Sequence, residues 1–383
     1  MIELLHISLF LTLAIPTLIF GSYGLILLYY HRTQEKRDEY SADTVFEPLV
    51  SVVIATHDEE MVIAKKIENV LASNYPSDKL ELIFVDDSND STPQKIQEYS
   101  QKYSNIHLIR FNERMGYSPS MIAGCKTAHG EIIVLNDAGS FLDKEAIPNL
   151  VAHFSNPQVG VVTGNDVLMN TNESAGKSES LYLKFLDFQR TAETNMDSTF
   201  FIKGEATATR KNLISDLEKC GATFDSTVGM FVRQKGYKVV YDPNVKFYEY
   251  APSTHDGLVK QKTIRAANLI KVLWRFKHLM FKPKLGKYGS IILPMNFAML
   301  TVAPIAIMLG LVLLAILPFF DLFLSAIIWG ALGSIFIFLL LFRRNLIATV
   351  IGLEYSLLQA LYQTIFIKKT HDKIDKVAST RRC

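Results

Sequence analysis

Hydropathy divides the chain into three regimes. From Ile7 to Tyr30 the residues are almost all apolar and uncharged, a run of the length needed to cross ~30 Å of hydrocarbon. It has no basic n-region and no small-residue cleavage site, which predicts a retained anchor over residues 1–30 rather than a removed signal. His31, Arg32, Lys36 and Arg37 follow within a polar linker, residues 31–48. Positive flanks stay on the cytoplasmic side, so the chain beyond is expected in the cytosol. Between Leu49 and about Pro252 the pattern changes. Val50–Ala55, Leu80–Val85, Ile106–Ile109 and Glu131–Leu135 are short β-rich apolar runs, separated by stretches of helical period. A repeated βα unit predicts an α/β domain over 49–255, with a mixed, mostly parallel sheet, helices on both faces and ligands at the carboxyl ends of the strands. Asn170–Glu179 is polar and turn-rich and reads as a surface loop.

The last third is apolar again. Lys260–Lys277 sets Leu269, Ile270, Leu273 and Trp274 among six cations, which suits a helix in the headgroup layer and places an interface region at 256–287. Tyr288–Phe342 carries one charge, Asp321, and is long enough for two spans turning near Pro318. Leu346–Ile367 differs, because Ser356, Gln359 and Gln363 share a helical face and Glu354 sits mid-segment. It can span, line a polar path or lie in the interface. The basic tail from Lys368 to Arg382 within the 288–383 region favours the interfacial placement with a cytosolic C-terminus.

Composition changes this picture little. Of 383 residues 49% are hydrophobic and 20% charged, and the mean hydropathy is +0.17, as expected for an integral membrane protein with a soluble middle. The net charge of +2 gives no basic surplus for nucleic acid, which is excluded as a main partner. Cys125, Cys220 and Cys383 form neither a metal pattern nor a disulfide framework, and a reducing compartment fits. The oligomeric state is not readable.

The chemistry lies at strand ends. Asp86 and Asp87 stand just past an apolar strand and before turn residues; alone, they fit a capped βα turn as well as a ligand site. Asn136-Asp137 closes a second strand, and in an α/β sheet both ends would share one rim, where converging carboxylates suggest a metal–diphosphate site. Asp225, directly before a helical stretch, reads by itself as an N-cap.

Taken in order, these segments resemble the inverting, membrane-integrated glycosyltransferases of family 2, with a GT-A catalytic domain, related to cellulose and hyaluronan synthases and to ceramide glucosyltransferase. The likeness runs from about Leu49 to Trp274. It implies nucleotide contacts from Thr56, His57, Glu59, Asp86, Asp87 and Asp137, with His57 where an aromatic ring often stacks on uracil. Asp137 would also hold Mg²⁺ or Mn²⁺. Gly204-Glu205-Ala206-Thr207-Ala208-Thr209-Arg210 is similar to the acceptor-site loop, Asp225 falls on the catalytic base, and Gln261, Lys262 and Arg265, in what remains of a Gln-x-x-Arg-Trp motif, would face acceptor and diphosphate, with Lys203, Lys262 and Arg265 as candidate substitute cations. The departures are specific: Gly139 replaces the second aspartate of Asp-x-Asp, Phe224 the acid before the base, and Tyr117 a lysine after Gly116. Ile264 holds the arginine position of the last motif and Arg265 the tryptophan position. The resemblance implies transfer of a sugar from a nucleotide diphosphate sugar, UDP-linked in the first instance, to a membrane lipid or lipid-linked saccharide. A processive polysaccharide synthase and a non-catalytic scaffold or sensor are the alternatives.

Overall fold

Strand pairing explains how separated motifs reach one edge. In the computed structural model, which describes residues 2–33, 46–171, 174–214, 224–252, 254–342 and 344–366, β1 (Val50–Thr56), β2 (Leu80–Asp86), β3 (Ile106–Arg110) and β4 (Ile132–Leu135) are parallel in the order β3-β2-β1-β4. β7 (Thr207–Arg210) runs antiparallel between β4 and β6 (Val159–Leu168), and β8 (Lys238–Glu249) and β5 (Phe141–Leu142) complete an eight-stranded mixed sheet. Thr56 pairs with Asp86, and Val53 with Leu135, so the residues after β1, β2 and β4 emerge on one rim, as the alternation predicts.

β2 is buried along its whole length, because helices cover both faces. Alternate residues serve opposite layers. Val52, Ile54, Leu82 and Phe84 pack with α2 (Ile63–Leu71), α3 (Thr92–Lys102) and α5 (Ala146–Ala152). Val53, Ile83 and Val85 face α4 (Tyr117–Thr127) and α7 (Phe224–Gln234).

The expected loop at 170–179 is not a loop from Ser174 onward, where α6 (Ser174–Met196) begins. Its polar residues find tertiary partners: Ser178 and Glu179 are buried, and Glu179 pairs with Lys262 at 2.6 Å. Local composition cannot reveal a partner from a distant segment. The basic segment forms α8 (His255–Phe276), with the Thr254 hydroxyl accepting the Gly257 N–H. It is not simply a headgroup helix. Ile270, Leu273 and Phe276 enter the core, and Lys262 is turned inward, while Trp274 stays exposed.

α1 (Ile2–Arg32) and α9 (Tyr288–Phe319) are each long and apolar enough to cross a bilayer. The chain turns at Leu317–Phe320, and Asp321 accepts the Leu324 N–H at the start of α10 (Leu322–Phe342). α11 (Arg344–Phe366) packs along α8. The Ser356 hydroxyl donates to the Val259 carbonyl at a separation of 97 residues and Thr263 to Gln359 at 96, so the two helices run parallel. Ala266, Ala267 and Ala360 let them approach closely. The basic tail, Arg343, most of the linker, Cys220 and Cys383 lie outside the described residues.

Glu193 on α6 ties the apolar helices α1 and α9 to the sheet domain. Its Oε1 accepts from Tyr23 of α1 (2.7 Å), Gln189 (2.8 Å) and Asn296 of α9 (2.8 Å), and its Oε2 from the Phe200 N–H (2.8 Å) and the Thr199 hydroxyl (3.2 Å). Glu193 is fully buried, and removing it strands donors from three segments. Hydrogen bonds to a charged group contribute about 1.5–3 kcal/mol each, so Glu193→Ala should destabilise the detergent-purified protein by at least ~3 kcal/mol. Tyr23→Phe should cost about half of that. Thermal unfolding of the two variants checks the order.

Candidate active site

The rim is built in two layers. Beneath it lies Asp86, fully buried, which accepts from Thr56 (2.8 Å) and Ser88 and pairs with Arg110. These bonds fasten the ends of β1, β2 and β3 together. Above it, Asp87 accepts from His57 Nδ1 (2.8 Å) and from the N–H groups of Met115 (2.8 Å) and Gly116 (3.3 Å). Gly116 has φ +82°, a left-handed conformation that glycine adopts without a Cβ penalty, and this turns both amides toward Asp87. His57 Nε2 meets Arg114, and the Glu59 N–H is accepted by Thr92. The residues expected to contact nucleotide therefore cluster, with Asp86 as the support and His57 and Asp87 nearer the surface.

Asp137 follows β4 and accepts from the Tyr117 hydroxyl at 3.2 Å. Where a lysine was expected, Tyr117 thus supplies a neutral donor to this carboxylate. Behind the loop, Lys66 is completely buried and donates to the Ser140 carbonyl. Burial lowers its amine to about 7, against the opposing pull of Asp137.

Asp225, in the first turn of α7, faces the same space. A Cβ on Gly204 would lie 3.1 Å from the Tyr117 hydroxyl and 3.2 Å from Asp225 Oδ2, so a glycine permits both groups to close on this point. Burial raises the Asp225 carboxyl above the usual carboxylate range; the Ser226 N–H opposes this, the charge of Glu205 adds to it, and Arg265 and the Gly204 N–H hold it back. A carboxylate with raised basicity suits proton acceptance.

The cations of the site are paired. Arg265 reaches Glu205 at 2.9 Å, Lys262 reaches Glu179 at 2.6 Å and lies 3.4 Å over the Tyr182 ring, and Lys203 pairs with the buried Asp166. Arg190, fully buried over the Tyr241 ring, backs Asp166 at 3.4 Å. Arg265 thus faces the site although it stands one position past the arginine of the motif. Burial lowers the Lys262 amine to about 8, and Glu179 opposes the shift. Nothing in the local sequence marked Asp166, Glu179, Tyr182 or Arg190, whose roles come from segments packed side by side.

Lys203, Lys262 and Arg265, with Glu179, Tyr182 and Glu205, line a cavity of about 560 Å³ that also takes in Gln261. One end holds Tyr117, Asp137, Gly204 and Asp225; the other is walled by Phe20 of α1, Ile307 of α9 and Leu353 of α11. The carboxylates at the polar end bear on a metal. Among the described residues no group of three or more His, Cys, Asp or Glu could hold an ion. Around Gly139 a Cβ would meet nothing within 4 Å, so the second Asp-x-Asp position is open space. Asp137 fits as a single protein ligand to a divalent ion otherwise coordinated by water and substrate phosphates, a donor set typical of Mg²⁺ sites.

The profile of the family described as "Glycosyltransferase like family 2" matches residues 48–267. The chain belongs to that family. Among curated relatives, the poly-β-1,6-N-acetyl-D-glucosamine synthase of Staphylococcus aureus is 26% identical over 59% of this chain and 56% of its own length. The probable glycosyltransferase YdaM of Bacillus subtilis is 28% identical over 62% of this chain and 59% of its own. The aligned regions thus span less than two thirds of both relatives. In fold, the chain is similar to the mannosyltransferase PcManGT of Pyrobaculum calidifontis, solved in complex with GDP-Man and Mn²⁺, with a TM-score of 0.78 over 94% of this chain and 100% of that one at 22% identity. The likeness in fold therefore covers nearly the whole chain.

Arg265 is the partner of a nearly buried Glu205. Arg265→Ala should therefore destabilise the protein by roughly 2 kcal/mol, the cost of taking one charged hydrogen-bonding partner from a buried carboxylate. Arg265→Lys should recover part of this. Thermal unfolding of both variants without ligand gives the measurement.

Proposed function

We propose that the protein is an integral membrane enzyme with a cytosolic catalytic domain. It transfers a sugar from a nucleotide diphosphate sugar to a membrane lipid or lipid-linked saccharide, by single displacement with inversion. The observation that carries this reading is the cavity, which runs from Asp137 and Asp225 to side chains of α1, α9 and α11. A water-soluble donor entering at the rim and a lipid-borne acceptor entering beside the apolar helices would meet there.

In this reaction the acceptor hydroxyl oxygen attacks the anomeric carbon from the face opposite the diphosphate. Asp225 takes the hydroxyl proton, and the electron pair of the breaking carbon–oxygen bond passes to the departing nucleoside diphosphate. Asp87, His57 and the Met115–Gly116 turn shape the nucleotide end, and Asp137 orients the diphosphate. A divalent cation bound there would supply charge neutralisation to the leaving group. Arg265, Lys262 and Lys203 lie on the acceptor side. α11, held along α8, lies in the interface beside the acceptor entrance. A UDP-sugar donor fits the resemblance of the rim motifs, whereas the fold neighbour was solved with GDP-Man, so the base is a matter for a ligand screen. The synthase relative from S. aureus favours a second reading, processive polymerisation; one added sugar or a ladder of products separates the two.

Asp225→Asn keeps the shape of the side chain but cannot accept the proton, so transfer should fall by ~10²-fold or more while nucleotide-sugar binding by calorimetry persists. Undiminished transfer would leave Asp225 a structural residue of the first turn of α7. The wild-type rate should rise with pH through the carboxyl's own titration, because only the ionised form accepts a proton. Burial raises that carboxyl, so the acid limb of kcat/KM should lie above the ordinary carboxylate range and should be missing in Asp225→Asn. Asp137→Ala should weaken sugar-nucleotide binding and reduce its dependence on Mn²⁺.

A further inference from the structure

The polar residues of α11 divide by what they touch. Ser356 donates to the Gly352 and Val259 carbonyls, and Gln359 accepts from Thr263 and donates to Tyr355, so these two serve the helix and its contact with α8. Glu354 does not. It stands half-buried in the cavity wall with Val350, Leu353 and Leu357 of its own helix, and its Oε1 is buried with no hydrogen-bond partner among the described residues. The cations Lys203, Lys262 and Arg265 are held by Asp166, Glu179 and Glu205 instead. A second oxygen in the lining is in the same position. The Gln189 amide is oriented by its Nε2, which donates to Glu193 at 2.8 Å and to Asn296 at 3.0 Å, and its Oε1 is buried without a partner among the described residues. Buried polar atoms in folded proteins are nearly always hydrogen-bonded. Both of these are acceptors, and they lie on α11 and α6, away from the strand end and the helix that carry Asp137 and Asp225.

We propose that Glu354, with Gln189, forms a station that binds hydroxyl groups of the acceptor other than the one that reacts, and so selects a lipid with a saccharide head over a simple lipid alcohol. This rests on the transferase reading above and names the part of the acceptor that the apolar end of the cavity recognises. Binding pockets are mostly apolar, with a few placed polar groups that fix the ligand's orientation, and the α11 wall has that composition. A lipid alcohol has a single hydroxyl. With it at Asp225, the hydrocarbon would run along α11 and shut water away from the two oxygens while offering them no donor. A sugar ring between the reacting hydroxyl and the lipid brings further hydroxyls, each of which carries one O–H to donate. A site built to hydrogen-bond a hydroxyl rejects the analogue that lacks it, because the site's own buried groups are then left unpaired. Glu354 acts here by binding alone, and the hydroxyls it holds keep their protons.

Equilibrium binding tests this without turnover. The full-length protein in nanodiscs, with Mn²⁺ and UDP or GDP, is titrated with decyl β-glucoside, decan-1-ol and decylammonium, and thermophoresis gives affinities on the concentration partitioned into the bilayer. The glucoside should bind more tightly than the alcohol by roughly tenfold or more, as expected for hydrogen bonds to a charged group. Glu354→Leu should bring that ratio close to one. Glu354→Gln keeps the size of the side chain and an acceptor oxygen but not the charge, so its ratio should lie between the two, and it decides the matter if the leucine variant does not fold. Equal binding of glucoside and alcohol by the wild type, a preference that survives in both variants, or tighter binding of decylammonium than of the glucoside would overturn the inference. Transfer from labelled UDP-glucose, UDP-N-acetylglucosamine and GDP-mannose is followed on the same samples. Equal rates of transfer to decanol and to the glucoside would also overturn it, and would leave the transferase reading intact. If no label leaves any donor, for any acceptor or for water, the transferase reading falls, whereas a glucoside preference lost with Glu354 would still establish the station.

Discussion

The buried carboxylate of Glu193 sets the relation between the two halves of the molecule. It lies on α6 and takes hydrogen bonds from α1, from α9 and from the backbone entering the Phe200–Gly204 segment. A buried charge is tolerated only when its acceptor sites are filled with good geometry. Filling them therefore requires both apolar helices to dock at one depth and rotation on the sheet domain. The cavity wall contains Phe20 and Met299, near Tyr23 and Asn296 in the same two helices. Its shape thus depends on that docking. Apolar packing alone, as between Leu9, Leu314 and Leu317, would not specify the rotation so closely, because dispersion contacts are non-directional.

A second constraint operates inside the cavity. Lys203, Lys262 and Arg265 are long side chains in partly or wholly buried positions, and each is held by a carboxylate from another segment. Burying a charge costs several kcal/mol unless it is paired, so the pairs are a condition of having cations there at all. They also keep the side chains in defined places beside Asp225. Asp86, Asp87 and Asp137 stand at the ends of parallel strands, whereas the facing wall of the cavity is assembled from α6, α8 and α11.

Much of the architecture was legible in advance. The alternation of β-rich runs and helical stretches from Leu49 onward predicted the parallel half of the sheet, since strands covered on both faces must be continuously apolar. The acidic residues after the second and fourth strands were expected on one rim, and the pairing of Thr56 with Asp86 puts them there. Register follows from the hydrophobic pattern, because a one-residue slip would turn buried side chains to the wrong face. The long apolar helices and the turn at Pro318 were visible from length and composition. The polar residues from Ser174 to Glu179 form a helix where a loop is expected, because a helix whose polar face is satisfied by distant residues has the composition of a loop.

What the sequence by itself determined is the order of elements, the parallel half of the sheet and the place of Asp87 and Asp137 at its edge, because these depend on patterns repeated over a few residues. The side chains that meet across segments were decided only by the tertiary structure. The Tyr117 hydroxyl lies on Asp137, Glu179 reaches Lys262, Asp166 holds Lys203, and Glu193 gathers the apolar helices α1 and α9. Each of those contacts joins residues far apart in the chain, and the favourable energy of a pair appears only once both partners have been desolvated at the same place. No local pattern encodes that coincidence, and so the charge balance of the cavity could be read only after the chain was folded.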